Sequence, residues 1–181
     1  MKSMLLAAVA AASLVSASAV LAQDNPTVGG APMLATQNII ENAVNSPIHT
    51  TLVAAVTAAG LVDTLQGAGP FTVFAPVNDG FAALPEGTVD TLLMPENLAM
   101  LQKVLTAHVV AGSISGAEIT ERAMNGGFSV QTVSGDTLDI FYQNDRVYVR
   151  DESGGVARVT IADVNQSNGV IHVVDNVLVP M

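Results

Sequence analysis

The 181-residue sequence contains no cysteine. A chain without cysteine cannot form disulfides, use a thiol nucleophile or bind a metal through thiolates, and it cannot carry a lipid on an N-terminal cysteine. Packing and hydrogen bonds alone must therefore hold the fold. Because there are no disulfides to indicate an oxidising compartment, any prediction of export must come from the N-terminal leader sequence.

Cations are also scarce in this chain. Six lysines and arginines stand against sixteen aspartates and glutamates, which gives a formal net charge of −10 at pH 7. Such a surface repels a phosphate backbone, so we expect no nucleic-acid partner. The acids are scattered along the chain rather than gathered in a run, which is typical of a solvated surface.

Long apolar runs are confined to the N-terminus. Lys2 precedes an apolar stretch from Met4 to Val15, and small residues follow as far as Ala22. This pattern predicts a secretory signal peptide over residues 1–22, with cleavage after Ala22 or at a second small-x-small site ending at Ala19. No later run is long enough to cross a bilayer, so we expect a soluble product in the periplasm or outside the cell.

The remaining chain divides into a short linker and one domain. Residues 23–35 contain two prolines and two glycines without apolar periodicity, which predicts a flexible linker. Residues 36–181 have the length of a single domain that can bury a core without disulfides.

Helices are predicted mainly in the first half of the chain. Apolar spacing and terminating residues predict three of them, over residues 38–44, 47–59 and 95–109. In the third helix Leu98, Leu101, Leu105 and His108 share one face. His108 is therefore expected to point toward the core, where the helix C-terminus favours a protonated or donating imidazole.

Strands are predicted mainly in the second half. A first strand is predicted to begin at Phe71 and to end at Pro76. A short helix should follow, with Asn78 as its N-cap and the Asp79 carboxylate at the positive end of its dipole. After Gly127, turn residues separate five β-favouring segments: FSVQTV, TLDIFY, RVYVR, ARVTIADV and GVIHVVDNVLVP. This distribution predicts an α+β fold.

Three stretches of this chain resemble the fasciclin domain family. They are GPFTVFAPVNDGFAAL from Gly69, LTAHVVAG from Leu105, and NGVIHVVDNVLVP from Asn168, and the similarity extends over Ile39–Met181. The resemblance implies helices packed along a wedge of two short sheets. It also implies an extracellular binding and adhesion role rather than catalysis. The family commonly has tyrosine where this chain has Ala107, which weakens an integrin-like interpretation of that segment.

The resemblance also assigns individual residues. As partner contacts it implies His108 and the pair Asp163 and Val164, which matches an aspartate-isoleucine pair of some animal members; the alternative for Asp163 is a surface carboxylate beside a turn. The positions that carry the family motifs are Phe74, Pro76, Asn78, Asp79, Phe81, His108, Asn168, Gly169, His172 and Asp175.

The histidines are the residues that could carry chemistry. His49, His108 and His172 have no metal-ligand spacing, and no serine-hydrolase elbow, phosphate loop or dinucleotide fingerprint is present. His172 alternates with Val170 and Val174 on one face of a strand, and Asp175 is on the other, so the two are not expected to pair. We therefore predict that His108 and His172 are buried and hydrogen-bonded, and we predict no catalytic residue, metal or cofactor.

Three functional hypotheses follow. The first is an exported binding module for cell adhesion or matrix association, with a cell-surface or matrix protein or carbohydrate as partner. The second is a small exported hydrolase-like enzyme with a histidine and carboxylate site, and the third is an envelope protein without a dedicated ligand. An activity screen with a His108→Ala control separates the first two.

Overall fold

The computed structural model describes residues 25–180. The predicted signal peptide, residues 1–22, lies outside the described residues, as do Gln23, Asp24 and Met181. Within the described part of the chain, no helix is long and apolar enough to cross a membrane.

Seven α-helices form within residues 25–180. They are α1 (Ile39–Asn45), α2 (Thr50–Ala58), α3 (Val62–Gln66), α4 (Asn78–Ala82), α5 (Thr88–Leu92), α6 (Leu98–Thr106) and α7 (Gly116–Met124). The predicted helix over 38–44 is confirmed as α1, which begins with a capping box: Asn38 Oδ1 accepts from the Glu41 N–H at 2.9 Å, and Glu41 Oε2 accepts from the Asn38 N–H at 2.8 Å.

Two predicted helices are shorter than expected. The helix predicted from Pro47 begins three residues later, as α2. The helix predicted over 95–109 divides into a 3₁₀ turn at Pro95–Asn97 and α6, and the chain continues from α6 into a strand. The short helices α3 and α5 were not predicted, because five residues are too few to show a helical period.

Nine strands complete the described structure. They are β1 (Thr27–Val28), β2 (Ala31–Pro32), β3 (Phe71–Pro76), β4 (Val109–Ala111), β5 (Phe128–Gln131), β6 (Thr137–Gln143), β7 (Arg146–Arg150), β8 (Val156–Gln166) and β9 (Gly169–Val174). The strands predicted from Phe71 and after Gly127 are therefore confirmed, and so is the α+β class.

The large sheet has the strand order β4-β3-β9-β8-β7-β6-β5. All its pairs are antiparallel except β3 with β9, which are parallel. The resemblance implied two short sheets, whereas here β8 joins both halves: it pairs with β7 through Val156–Arg158 and with β9 through Val159–Gln166, with two register shifts along the second segment. The far edges also meet, through a bridge between Val110 and Thr132.

The sheet separates two apolar clusters. In β3, Val73 and Ala75 belong to the cluster that includes α1, α2 and α6, whereas Phe74 belongs to the cluster that includes α7, β6 and β7. In β9, Ile171 and Val173 belong to the first cluster and Val174 to the second. Successive residues on these two strands thus face different cores, as expected where both faces of a sheet are covered.

Residues 25–35, the described part of the segment predicted as a flexible linker, pack on the domain, so that prediction is wrong for them. β1 and β2 form a small hairpin, and Val28 and Met33 are buried in the first cluster. Asn25 also makes two hydrogen bonds with the backbone of Asn165, at 2.6 and 3.0 Å. Two isolated apolar side chains do not create a periodic pattern, so the sequence could not reveal that this segment packs on the domain.

Candidate functional site

The three stretches that carry the family resemblance meet at one place, which we call the central hub: Phe74, His108, His172 and Leu178. Phe74 in β3 lies opposite His172 in β9, with ring centroids 5.7 Å apart. The Phe74 N–H donates to the His108 carbonyl at 2.9 Å. Phe74, His172 and Leu178 have no exposed surface and His108 is 2% exposed, so the hub lies inside the domain.

His108 joins α6 to the C-terminal segment. Its Nε2 accepts the Leu178 N–H at 2.9 Å, and because a backbone N–H can only donate, this nitrogen carries no proton. The proton is on Nδ1, which donates to the Val104 carbonyl at 2.7 Å. Burial lowers the pKa of His108 to about 4, although the Val104 hydrogen bond and the Asp151 charge act in the opposite direction. The ring therefore donates, as the helix C-terminus predicts, but in its neutral form.

His172 has the other tautomer. Its Nδ1 accepts a long hydrogen bond of 3.4 Å from the Asp163 N–H, and its Nε2 donates to the Ile114 carbonyl at 2.9 Å. Burial lowers the pKa of His172, whereas the Ile114 hydrogen bond and the Asp163 charge raise it. Both nitrogens are occupied by backbone groups, so the ring has no free position for a base, a nucleophile or a metal.

Two of the three residues predicted as partner contacts, His108 and Val164, are buried. Val164 has no exposed surface and His108 is almost fully buried, so neither can touch a partner in this structure. Asp163 is half-buried within the irregular part of β8, with a positive φ of 58°. Its Oδ1 accepts the N–H of Gly116, the first residue of α7, at 2.6 Å. The pair therefore anchors α7 and fills the core.

Asn78 has a different role from the one predicted. Val77, not Asn78, is the N-cap of α4. The Asn78 side chain reaches α2 instead, where its Oδ1 accepts the Thr51 N–H at 3.0 Å and its Nδ2 donates to the Pro47 carbonyl at 3.3 Å. It thus satisfies a donor at the start of a different helix, which helix-start patterns cannot reveal.

The other residues of the first motif lie where the sequence placed them. Pro76 is the last residue of β3, and Asp79 is in the first turn of α4. Phe81 is 7% exposed and belongs to the first apolar cluster.

The final motif ties several elements together. Asn168 Oδ1 accepts from the Ile39 N–H at the start of α1, and its Nδ2 donates to the carbonyls of Leu65 and Gly67 at the end of α3. A Cβ on Gly169 would collide with the Phe71 carbonyl, so the close approach of β9 to β3 requires glycine.

Asp175 follows β9 and is bonded to β8. Its Oδ1 accepts from the Arg158 N–H at 2.8 Å, and its Oδ2 lies 3.2 Å from Arg158 Nε. It therefore forms no pair with His172, whose two nitrogens bond to Ile114 and Asp163. In residues 25–180 no group of three or more histidines and carboxylates is placed to hold a metal ion.

A surface groove is the part of the molecule that the sequence did not indicate. It is lined by residues of α5, the 3₁₀ turn at Pro95–Asn97, α6 and the C-terminal segment: Thr88, Leu92, Glu96, Asn97, Ala99, Met100, Lys103, Val104, Val179 and Pro180. Met100 is 59% exposed and Val179 is 36% exposed. Met94 and Met124, which lie at helix ends, are exposed as well. Composition alone does not tell a methionine that fills a core from one that lies on a surface.

The chain is similar to bacterial proteins and to an insect protein. The fasciclin domain profile matches residues 47–180. Protein sll1483 of Synechocystis is 47% identical over 142 residues, which cover 78% of this chain and 73% of that protein. The cell surface glycolipoprotein MPB83 of Mycobacterium bovis is 33% identical over 165 residues, which cover 88% of this chain and 68% of that protein.

A solved structure shares the fold. It is a FAS1 domain pair from the insect cell adhesion molecule fasciclin I, with a TM-score of 0.69 and 18% sequence identity. The match covers 78% of this chain and 50% of that chain, so the present chain spans about half of the insect pair.

Proposed function

The chain belongs to the fasciclin domain family, as its three motifs predicted, and on that premise we propose that it is an exported, non-catalytic binding module for adhesion or cell-surface association. The family is associated with cell-adhesion and cell-surface proteins. The leader over residues 1–22 supports export to the periplasm or the exterior. The packed hairpin at 27–32 moves the proposed start of the mature domain to about residue 25 rather than 36.

The observation that carries the proposal is the groove of α5, α6 and the C-terminal segment. It brings the exposed side chains of Met100 and Val179 together, with Glu96 and Lys103 among its lining residues. Apolar surface bordered by polar groups is typical of protein contact sites, and methionine adapts its shape to a partner. We therefore propose the groove, rather than His108 and Val164, as the contact surface. A cell-surface or matrix protein is the favoured partner, with a carbohydrate as the other candidate.

The proposal is tested by capture of envelope and matrix components on the mature chain, immobilised through a tag before Gln23. Wild type is compared with Met100→Glu, which puts a charge in the groove. Met124→Glu is the matched control, since Met124 on α7 is 61% exposed and does not line the groove. Protease and glycosidase treatment of the captured fraction distinguishes a protein from a carbohydrate partner.

We expect Met100→Glu to weaken binding of the captured partner at least about tenfold, as for the loss of a central contact residue. Met124→Glu should bind like wild type, and both variants should keep wild-type unfolding midpoints, because exposed substitutions change stability by only about 0.5 kcal/mol. Equal capture by wild type and Met100→Glu would contradict the groove as the contact surface.

A further inference from the structure

Two asparagines of this chain are followed directly by glycine, Asn125 and Asn168. An asparagine loses its side-chain amide when the backbone nitrogen of the next residue attacks the side-chain carbonyl carbon. Glycine in the next position favours this reaction, because it has no Cβ to obstruct the approach and adopts backbone conformations that other residues avoid. The two asparagines therefore have the same local chemistry, and the fold decides which of them can react.

Asn125 lies in the open connection between α7 and β5. It is the C-cap of α7, and both Asn125 and Gly126 are exposed. Among the described residues, no hydrogen bond involves the Asn125 side chain or the Gly126 N–H. The bonds that hold this connection lie on either side of that N–H: Asn125 donates to the Glu121 carbonyl and Gly127 to the Ala123 carbonyl, both at 3.1 Å. The attacking nitrogen is therefore free, and only rotation within an exposed connection is needed to bring it to the side-chain carbonyl.

Asn168 has the same neighbour but not the same freedom. Its side-chain oxygen accepts from the Ile39 N–H, and its side-chain nitrogen donates to the carbonyls of Leu65 and Gly67, at distances between 2.7 and 3.1 Å. The glycine that follows it begins β9 and is paired with strands on both sides. Attack at Asn168 therefore requires local opening of the fold, which breaks these hydrogen bonds first.

We propose that Asn125 is a site of spontaneous deamidation, whereas Asn168 is protected by the fold. The Gly126 nitrogen gives up its proton to solvent and bonds to the side-chain carbonyl carbon of Asn125. The bond from that carbon to the amide nitrogen breaks, and the nitrogen takes up a proton and leaves as ammonia. Water then opens the cyclic imide at its side-chain carbonyl, which gives aspartate, or at its main-chain carbonyl, which gives isoaspartate. Water is the only co-reactant, and no group is oxidised or reduced.

Either product changes the C-terminal end of α7. A carboxylate at the C-cap adds one negative charge to a chain whose formal net charge is already −10, and it lies at the negative end of the helix dipole. Isoaspartate also lengthens the backbone between α7, whose Ile119 and Ala123 are buried in the second apolar cluster, and β5. The modified chain is therefore expected to be less stable. Asn125 does not line the proposed contact groove, so the inference does not depend on the adhesion function.

The test follows both asparagines of the whole mature chain during storage at mildly alkaline pH, by peptide mass spectrometry of samples taken over time. In the folded protein we expect Asn125 to convert at least about tenfold faster than Asn168, because Asn168 reacts only from locally opened states. In urea the protection is lost, and the two asparagines should convert at comparable rates. A folded protein in which Asn125 keeps its amide as long as Asn168 does would overturn the inference.

Two substitutions at the same position examine the reaction and its effect on the fold separately. Asn125→Gln keeps an amide but places its carbonyl carbon one carbon further from the backbone, so this variant should not develop the acidic charge form that wild type acquires on isoelectric focusing. Asn125→Asp carries the product charge from the start and should unfold at a lower urea concentration than Asn125→Gln, because its carboxylate lies at the end of α7. An acidic form that appears as fast in Asn125→Gln as in wild type would refute Asn125 as its source, and equal urea midpoints for the two variants would refute the effect on α7.

Discussion

Acid should destabilise this domain well before its carboxylates are protonated, because its buried histidines are neutral. Burial lowers the pKa of His108 to about 4, whereas an unfolded chain has a histidine pKa near 6.5. Between these values the unfolded state binds a proton that the folded state does not. Stability is therefore fully present above pH 6.5 and is lost as the pH falls toward 4.

The magnitude follows from the two pKa values of His108. Lowering the pH from 7.5 to 5 should cost about 2 kcal/mol through this residue alone, at about 1 kcal/mol per pH unit between pH 6 and 5. Burial also lowers the pKa values of His49 and His172, so both add to the loss with the same sign. Asp139, whose pKa is lowered mainly by the Ser129 hydrogen bond, contributes only at lower pH, because its ordinary value is 3.8.

Urea unfolding at half-unit steps from pH 7.5 to 5 measures this effect while most carboxylates stay ionised. His108→Gln is the control, since a glutamine oxygen can still accept the Leu178 N–H. Its free energy of unfolding should fall less steeply with decreasing pH than that of wild type, by about 1 kcal/mol per pH unit. NMR titration of the His108 ring gives a direct check. A ring that titrates near 6.5, or a wild-type stability that is equal at pH 7.5 and 5, would refute the reasoning.

Three further predictions concern the core. Phe74→Ala should cost about 3 to 5 kcal/mol in urea unfolding, because this side chain is fully buried between the motifs; a near-native midpoint would contradict its place in the hub. Removal of residues 23–35 should lower the thermal midpoint, since burial of Val28 and Met33 contributes about 3 to 6 kcal/mol; an unchanged melt would restore the flexible-linker prediction. His172→Ala should clearly lower the free energy of unfolding, and His172→Gln should recover part of that loss because glutamine keeps a donor and an acceptor. A wild-type urea midpoint for His172→Ala would show that the hydrogen bonds of the ring are not needed.

The sequence predicted what depends on local patterns. Turn residues separate the strands after Gly127, and alternation along β9 places His172 on the face opposite Ile171 and Val173, because strand periodicity is a property of neighbouring residues. The capping box at Asn38 was not predicted in detail, but the start of its helix was, since that signal also lies within a few residues.

What could not be predicted depends on distant partners. Asparagine is a common helix-capping residue, but the helix that Asn78 caps is determined by the position of α2 in the fold. Val164 is buried because helices distant in sequence pack over β8. Met100 is exposed because no other part of residues 25–180 packs over its side chain. The irregular register of β8 likewise separates Asp163 from Val164 in role, with one bonded to α7 and the other in the core.

The parallel pairing of β3 and β9 has a consequence for synthesis of the chain. Within the seven-stranded sheet β3 is the first strand in sequence and β9 is the last, yet the two are neighbours, second and third from one edge. During synthesis β3 can pair with β4 early, but its other edge, with Val73 and Phe74, stays open until every remaining strand has been made. Pairing between distant segments folds slowly and leaves apolar strand edges open to aggregation. The edge of β3 that pairs with β9 is therefore open to aggregation until β9 has been made.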